Sequence, residues 1–204
     1  MAILLKIHPT NPQPRLLKQV ADILAMGGVI CYPTDSGYAL GTALGNKKGE
    51  DKIRQIRQLS KRHDFTLMMR NLVHIGEYAK LNNNAFRLLK KILPGAYTFI
   101  FAATRDVPKR LLHPQKKTIG LRISAHKLVQ AILDEVGGAF MSVSLIIDGV
   151  NFYDINDVCR AMDNQVDAII DGGHCPSDPT TVIDLSTTKV KIIRQGAGDT
   201  SFIE

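Results

Sequence analysis

The 204-residue sequence has no tryptophan, three cysteines and fewer acidic than basic residues, 19 against 26. Cys31, Cys159 and Cys175 are odd in number and include no CxxC pair, which argues against the disulfide framework of a small secreted domain and leaves room for one isolated bridge at most. His174 stands beside Cys175, but no second cluster completes a zinc-type spacing, so no metal site is expected. No apolar run approaches the roughly 18 residues of a membrane span. The opening MAILLKIHPTNP meets His8 and Pro9 before a signal-peptide core can develop. Sixteen Gly and nine Pro are ordinary usage, which excludes collagen-like and low-complexity chains. Four signatures are also missing: the GxxxxGK[ST] phosphate loop, a GxGxxG after a strand, HExxH and GxSxG. What remains is an ordinary composition for a soluble, cytoplasmic, single domain over residues 1–204, with no membrane partner expected.

The charge that is present is unevenly placed. Residues 1–127 carry 22 Lys/Arg against seven Asp/Glu, a balance of +15, and residues 128–204 carry four against 12, a balance of −8. Such a two-faced chain suits a polyanion, either RNA or a nucleoside triphosphate. Cations spread over solvated helix exteriors would give the same count, so composition leaves both readings open.

Apolar periodicity predicts strands at Leu4–Ile7, Val29–Tyr32, Tyr38–Gly41, Phe65–Met69, Tyr97–Ala102 and Thr118–Ile123. Further strands are predicted at Phe140–Ser144, Ala168–Ile170, Thr181–Leu185 and Val190–Arg194. Helices are predicted over Arg15–Met26, Glu50–Leu59 and Asn83–Leu93, the last with Phe86, Leu89, Ile92 and Leu93 turned inward. Another is expected from an N-cap at Ser124 through Val136, closed by Gly137-Gly138. Alternation of the two element types argues an α/β fold, one sheet with flanking helices.

Polar side chains recur at strand ends, where catalytic groups are commonly placed. Thr34, Asp35 and Ser36 follow a buried strand directly, and Ser142 and Ser144 alternate along one strand so that both hydroxyls share a face. Thr180 and Thr181 begin another strand. Arg122 and Arg194 lie in or just after apolar strands, where an unpaired cation would be costly. Turn formation, core hydroxyls bonded to backbone and internal salt bridges would explain each singly. Together they outline a pocket for a small polar anion.

Six ordered segments then make a specific resemblance. YPTDSGYALG (Tyr32–Gly41), LPGAYTFIF (Leu93–Phe101), TIGLRI (Thr118–Ile123), MSVSL (Met141–Leu145), PTTVIDL (Pro179–Leu185) and IIRQGAGD (Ile192–Asp199) resemble the YrdC-like family. The resemblance covers about residues 13–199, and IRQLSKRHDFTLM (Ile56–Met68) is similar to its YciO branch. It implies a twisted mixed α/β sheet with flanking helices and a basic concave face. The implied activity is synthesis of threonylcarbamoyl-AMP from L-threonine, bicarbonate or CO2, and ATP, with release of pyrophosphate and help from Mg2+. That product serves modification of adenosine 37 in tRNA. The alternative it implies is a protein that binds double-stranded RNA, tRNA or the ribosome through the basic face.

By the same resemblance, Thr34, Ser142, Thr180 and Thr181 are expected to bind substrate, and Ser144 and Arg194 the nucleotide. Arg57, Lys61 and Arg122 are expected to carry the chemistry. Two departures stand out. The family's KxR signature reads Arg57-Gln58-Leu59, or is shifted so that Lys61 or Arg62 supplies the charge beside His63. The Asn of its SxN element is replaced by Ile146. Both changes remove polar groups from a phosphate site and are expected to slow the reaction.

Overall fold

The computed structural model describes residues 1–60, 63 and 65–203. In chain order the strands are β1 (Ile3–Lys6), β2 (Val29–Thr34), β3 (Gly37–Ala43), β4 (Thr66–Met68), β5 (Tyr97–Ala102) and β6 (Thr118–Arg122). They continue with β7 (Phe140–Ser144), β8 (Ile146–Ile147), β9 (Val150–Asn151), β10 (Ala168–Asp171), β11 (Thr181–Asp184) and β12 (Lys191–Arg194). The helices are α1 (Pro14–Ala25), α2 (Lys47–Ile56), α3 (Ile75–Tyr78), α4 (Asn83–Ile92), α5 (Lys127–Val136) and α6 (Ile155–Met162).

Ten strands form one mixed sheet in the order β1-β10-β2-β3-β7-β4-β6-β5-β11-β12, and β8 and β9 make a separate hairpin. The expected α/β class with one large sheet and flanking helices is the one observed. The two faces of the sheet are covered unequally. One carries the larger core, in which Cys31, Leu40, Leu67, Phe99, Leu121 and Ile183 point from successive strands toward Ile53 of α2, Leu89 of α4 and Val158 of α6. On the other, Leu17, Val20 and Leu24 of α1 and Leu128, Val129 and Ile132 of α5 pack on Ile30, Tyr32, Ala39, Met68 and Phe140. This second core receives nothing from β5, β6, β11 or β12. Among the described residues, half of that face therefore has no helix over it, and alternate residues of β5 and β11 there are partly exposed.

The sheet also curls strongly. β2 and β6 are separated by β3, β7 and β4, about 19 Å along a flat sheet at the usual strand spacing. Yet Arg122 Nη2 of β6 lies 3.1 Å from Thr34 Oγ1 of β2. The curl encloses the uncovered half-face.

Several local expectations need correction. Helix α2 begins three residues before Glu50, because Lys47, Lys48 and Gly49 join its first turn. The N-cap residue of α5 is His126 rather than Ser124; Ser124 Oγ instead accepts the His126 N–H at 3.1 Å and turns the chain just ahead of the helix. Phe86 is 42% exposed, since α4 buries only Ala85 and Leu89 and a narrower stripe than the periodicity suggested. Helix α6 was not anticipated. Its signal is Asp154, whose carboxylate accepts from the N–H groups of Asn156 and Asp157 as an N-cap should.

Candidate functional site

The uncovered half-face opens as a cleft of about 430 Å³. Strand alternation supplies its floor: Thr66 of β4, Gly120 of β6, Thr98 and Ile100 of β5, and Thr180 and Val182 beside and within β11. Ser142 and Ser144 of β7 share this side, as their spacing predicts, and Ile146, Arg57, His63 and Arg194 complete the wall. Hydroxyls alternate here with small and branched apolar groups. The surface can therefore take a ligand with polar and flat apolar parts.

Arg57 reaches the cleft because α2 stops at Ile56 and Gln58 adopts a left-handed conformation, φ +48°. The Arg57 Nε–H donates to the Ser144 carbonyl at 2.7 Å. Burial lowers the pKa of this guanidinium, and the group it donates to is a neutral carbonyl. Leu59 packs against the larger core, so the position where the family pattern puts a second cation is turned to apolar surroundings. Lys61, the other expected source of charge, lies outside the described residues.

Across the cleft, Arg194 donates from Nε and Nη2 to the Thr180 carbonyl at 3.1 and 2.9 Å, and from Nη2 to Thr180 Oγ1 at 3.1 Å. Thr180 Oγ1 is also 3.0 Å from Thr98 Oγ1, so these groups form one polar node. Burial, and then the neighbouring charge of Arg122, lower the pKa of Arg194. Arg122 is 4% exposed; its Nη2 donates to Thr34 and to the Asp35 carboxylate, while its Nε–H is buried with no partner.

Five of the expected residues, Arg57, Ser142, Ser144, Thr180 and Arg194, thus meet in one cleft. Arg122 lies beside it, close enough for its charge to act on Arg194. Two expected substrate contacts fall elsewhere. Thr181 is one residue out of phase with Thr180, which sends its side chain through the sheet; its hydroxyl donates to Gly198 O at 2.7 Å and accepts the Gly196 N–H at 2.9 Å. Thr34 donates to Gly37 O at 2.6 Å and accepts from Ser36 N and Arg122 Nη2, each at 3.1 Å. One donor and two acceptor positions are all a hydroxyl has, so Thr34 is committed to its turn and to Arg122. The sequence reading missed Thr66 and Thr98. Their signal was a lone threonine in an otherwise apolar strand, one residue out of phase with the core positions Leu67 and Phe99.

Comparison with known proteins agrees with this architecture. The Sua5/YciO/YrdC family model, described as "Telomere recombination", matches residues 22–196, and the chain belongs to that family. It is 46% identical over 195 residues to the uncharacterised protein YciO of Escherichia coli K12, covering 95% of each chain. The crystal structure of E. coli YciO superposes with a TM-score of 0.97 at 43% identity over the whole of both chains. The P. abyssi Sua5 structure, a complex with L-threonine, gives a TM-score of 0.89 at 20% identity over 96% of this chain and 58% of that one. That second likeness is one of fold.

Proposed function

We propose that the cleft binds ATP together with L-threonine and bicarbonate or CO2, and forms threonylcarbamoyl-AMP with release of pyrophosphate. The observation that carries this reading is the imbalance of charge. Arg57, Arg122 and Arg194 converge on one half-face, Asp35 is the only carboxylate among the described residues bonded to any of them, and burial already depresses the pKa of two. A partly desolvated cation held only by neutral oxygens is stabilised when an anion joins it. L-threonine is the ligand of the P. abyssi Sua5 complex, and this chain shares that fold.

In the proposed reaction the threonine amine adds to CO2 and gives up a proton, and a carbamate oxygen of the N-carboxythreonine so formed attacks the α-phosphorus of ATP as the bond to pyrophosphate breaks in line. Arg57 and Arg194, on opposite sides of the hydroxyl-lined floor, hold the phosphates and oppose the charge that moves onto the leaving group. Among the described residues no carboxylate lines the cleft, and no group of His, Cys, Asp or Glu is set to hold a metal. Mg2+ therefore fits as a partner of the triphosphate rather than as a protein-held ion. It would supply charge neutralisation there.

Pyrophosphate release by the purified chain, with ATP and MgCl2 and with threonine or bicarbonate omitted in turn, tests the reading. Release that needs both substrates is expected, and Ile146→Asn should raise its rate about tenfold by restoring one polar contact. Release indifferent to threonine, or none alongside clear ATP binding, would assign the cleft to another acceptor.

A second reading is favoured by a different surface. Lys80, Arg87, Lys90, Lys91, Arg105, Lys109, Lys116 and Lys117 are all exposed, and among the described residues none of them forms an ion pair. Backbone pairing brings its first and last members together: Lys80 N donates to Ala102 O, and Ala103 N to Lys117 O, at the end of β5. Exposed cations without an acidic partner suit duplex RNA phosphates.

A further inference from the structure

We propose that Asp35 is a positioning residue of the site, acting through Arg122; the inference rests on the reading of the cleft as an anion-binding site. Arg122 reaches across a curled sheet, so its side chain could adopt many directions unless something fixes it. Both oxygens of Asp35 are engaged. Oδ1 accepts from Arg122 Nη2, and Oδ2 accepts the Ala125 N–H at 2.9 Å, in the turn that leads from β6 into α5. Asp35 is thereby held by the same segment that carries Arg122, and it ties that segment to the β2–β3 turn.

Thr34 completes the arrangement. Its hydroxyl accepts from the same Nη2, and Nη2 has only two protons, so Asp35 and Thr34 use both. Arg122 Nε–H is left buried and unpartnered. An orphaned charged donor of that kind is costly in a resting structure and becomes favourable once an acceptor arrives.

Asp35 also cancels the net charge of Arg122. The net attraction for anions then comes from Arg57 and Arg194, and Arg122 serves as an aimed donor for a carboxylate or phosphate oxygen. The proposal predicts the opposite of simple electrostatics. Removing a negative charge beside an anion site should tighten anion binding if charge alone matters. If Asp35 aims Arg122, the same removal weakens binding.

The test is Asp35→Asn in the full chain, titrated calorimetrically with MgATP and with L-threonine. Alongside, the exchange rate of the Arg122 Nε–H is followed by nitrogen-15 NMR, with the resonance assigned through Arg122→Lys. Weaker binding of either ligand by about tenfold, the worth of one charged hydrogen bond, together with faster exchange at Arg122, is expected. Tighter binding would make Asp35 a counter-charge only and overturn the proposal. Unchanged binding and unchanged exchange would make it a scaffold residue and overturn it equally. Should Asp35→Asn fail to fold by circular dichroism, Asp35→Glu keeps the charge but displaces the carboxylate; weaker binding with faster exchange is again expected, and unchanged binding overturns the proposal. If the wild-type chain binds neither ligand, the synthase reading fails, and the Arg122 exchange rate alone decides the role of Asp35.

Discussion

At the residue scale, the cleft is built from hydroxyls whose freedom differs more than their shared residue type suggests. Ser142 Oγ lies 2.5 Å from the hydroxyl of Tyr32, a side chain with no exposure, and burial raises the Tyr32 pKa despite that bond. Ser142 therefore holds a core tyrosine with one position and offers the rest to the cleft. Ser142→Ala leaves the tyrosine hydroxyl buried and unpaired, which should cost about 1–3 kcal/mol in chemical denaturation. Tyr32→Phe should cost less, because Ser142 borders the cleft and can turn to water. The double variant should recover most of the loss, and strict additivity would show that the two hydroxyls do not interact. Identity and order made Ser142, Ser144, Thr180 and Arg194 legible in the sequence. The commitment of Thr34 was not legible, because it depends on Arg122 arriving from a strand 88 residues away.

At the scale of elements, the strands were the most readable part, since each apolar run was bounded by Gly, Pro or a turn. Helix α2 is less so, because Lys47-Lys48-Gly49 carries no apolar stripe to mark its start. The helix also stops at Ile56, three residues short of the expected Leu59, and that matters for function, because its end is what sets Arg57 on the Ser144 carbonyl. Gly49 explains how close the helix lies. A Cβ there would stand 2.1 Å from Thr42 Oγ1 and 2.6 Å from Asn46 Nδ2. These atoms bond Gly28 O and Gly27 O, at 2.9 and 2.6 Å. Replacing a helical glycine with alanine normally gains about 1 kcal/mol of propensity. Here overpacking, at about 1–3 kcal/mol, and loss of the Thr42 or Asn46 bond, at about 1 kcal/mol, outweigh that gain. Gly49→Ala should lower the thermal midpoint and weaken MgATP binding by shifting Arg57. A midpoint that rises would show that α2 has room to retreat.

At the scale of the whole molecule, two properties follow from strand order and from nothing shorter. The first is the bare half-face: β5, β6, β11 and β12 read like any half-buried strands, and only the order of the sheet places them beyond α1 and α5. The second is the division of the basic charge. The excess in residues 1–127 was readable by counting, but folding splits it into arginines committed to the cleft and exposed cations near the end of β5. The two surfaces make separable predictions. Double reversal, Lys80→Glu with Lys117→Glu, touches no residue of the cleft and should leave MgATP and threonine titrations unchanged. If the outer strip binds duplex RNA, the double variant should lower affinity and flatten the salt dependence by about two in logarithmic slope, one for each lost phosphate contact. Arg57→Ala with Arg194→Ala should do the reverse, abolishing nucleotide binding while leaving the RNA slope intact. An RNA slope that falls only in the arginine variant would move the polyanion into the cleft. RNA and nucleotide would then compete for the same two guanidiniums, and excess ATP would displace the duplex.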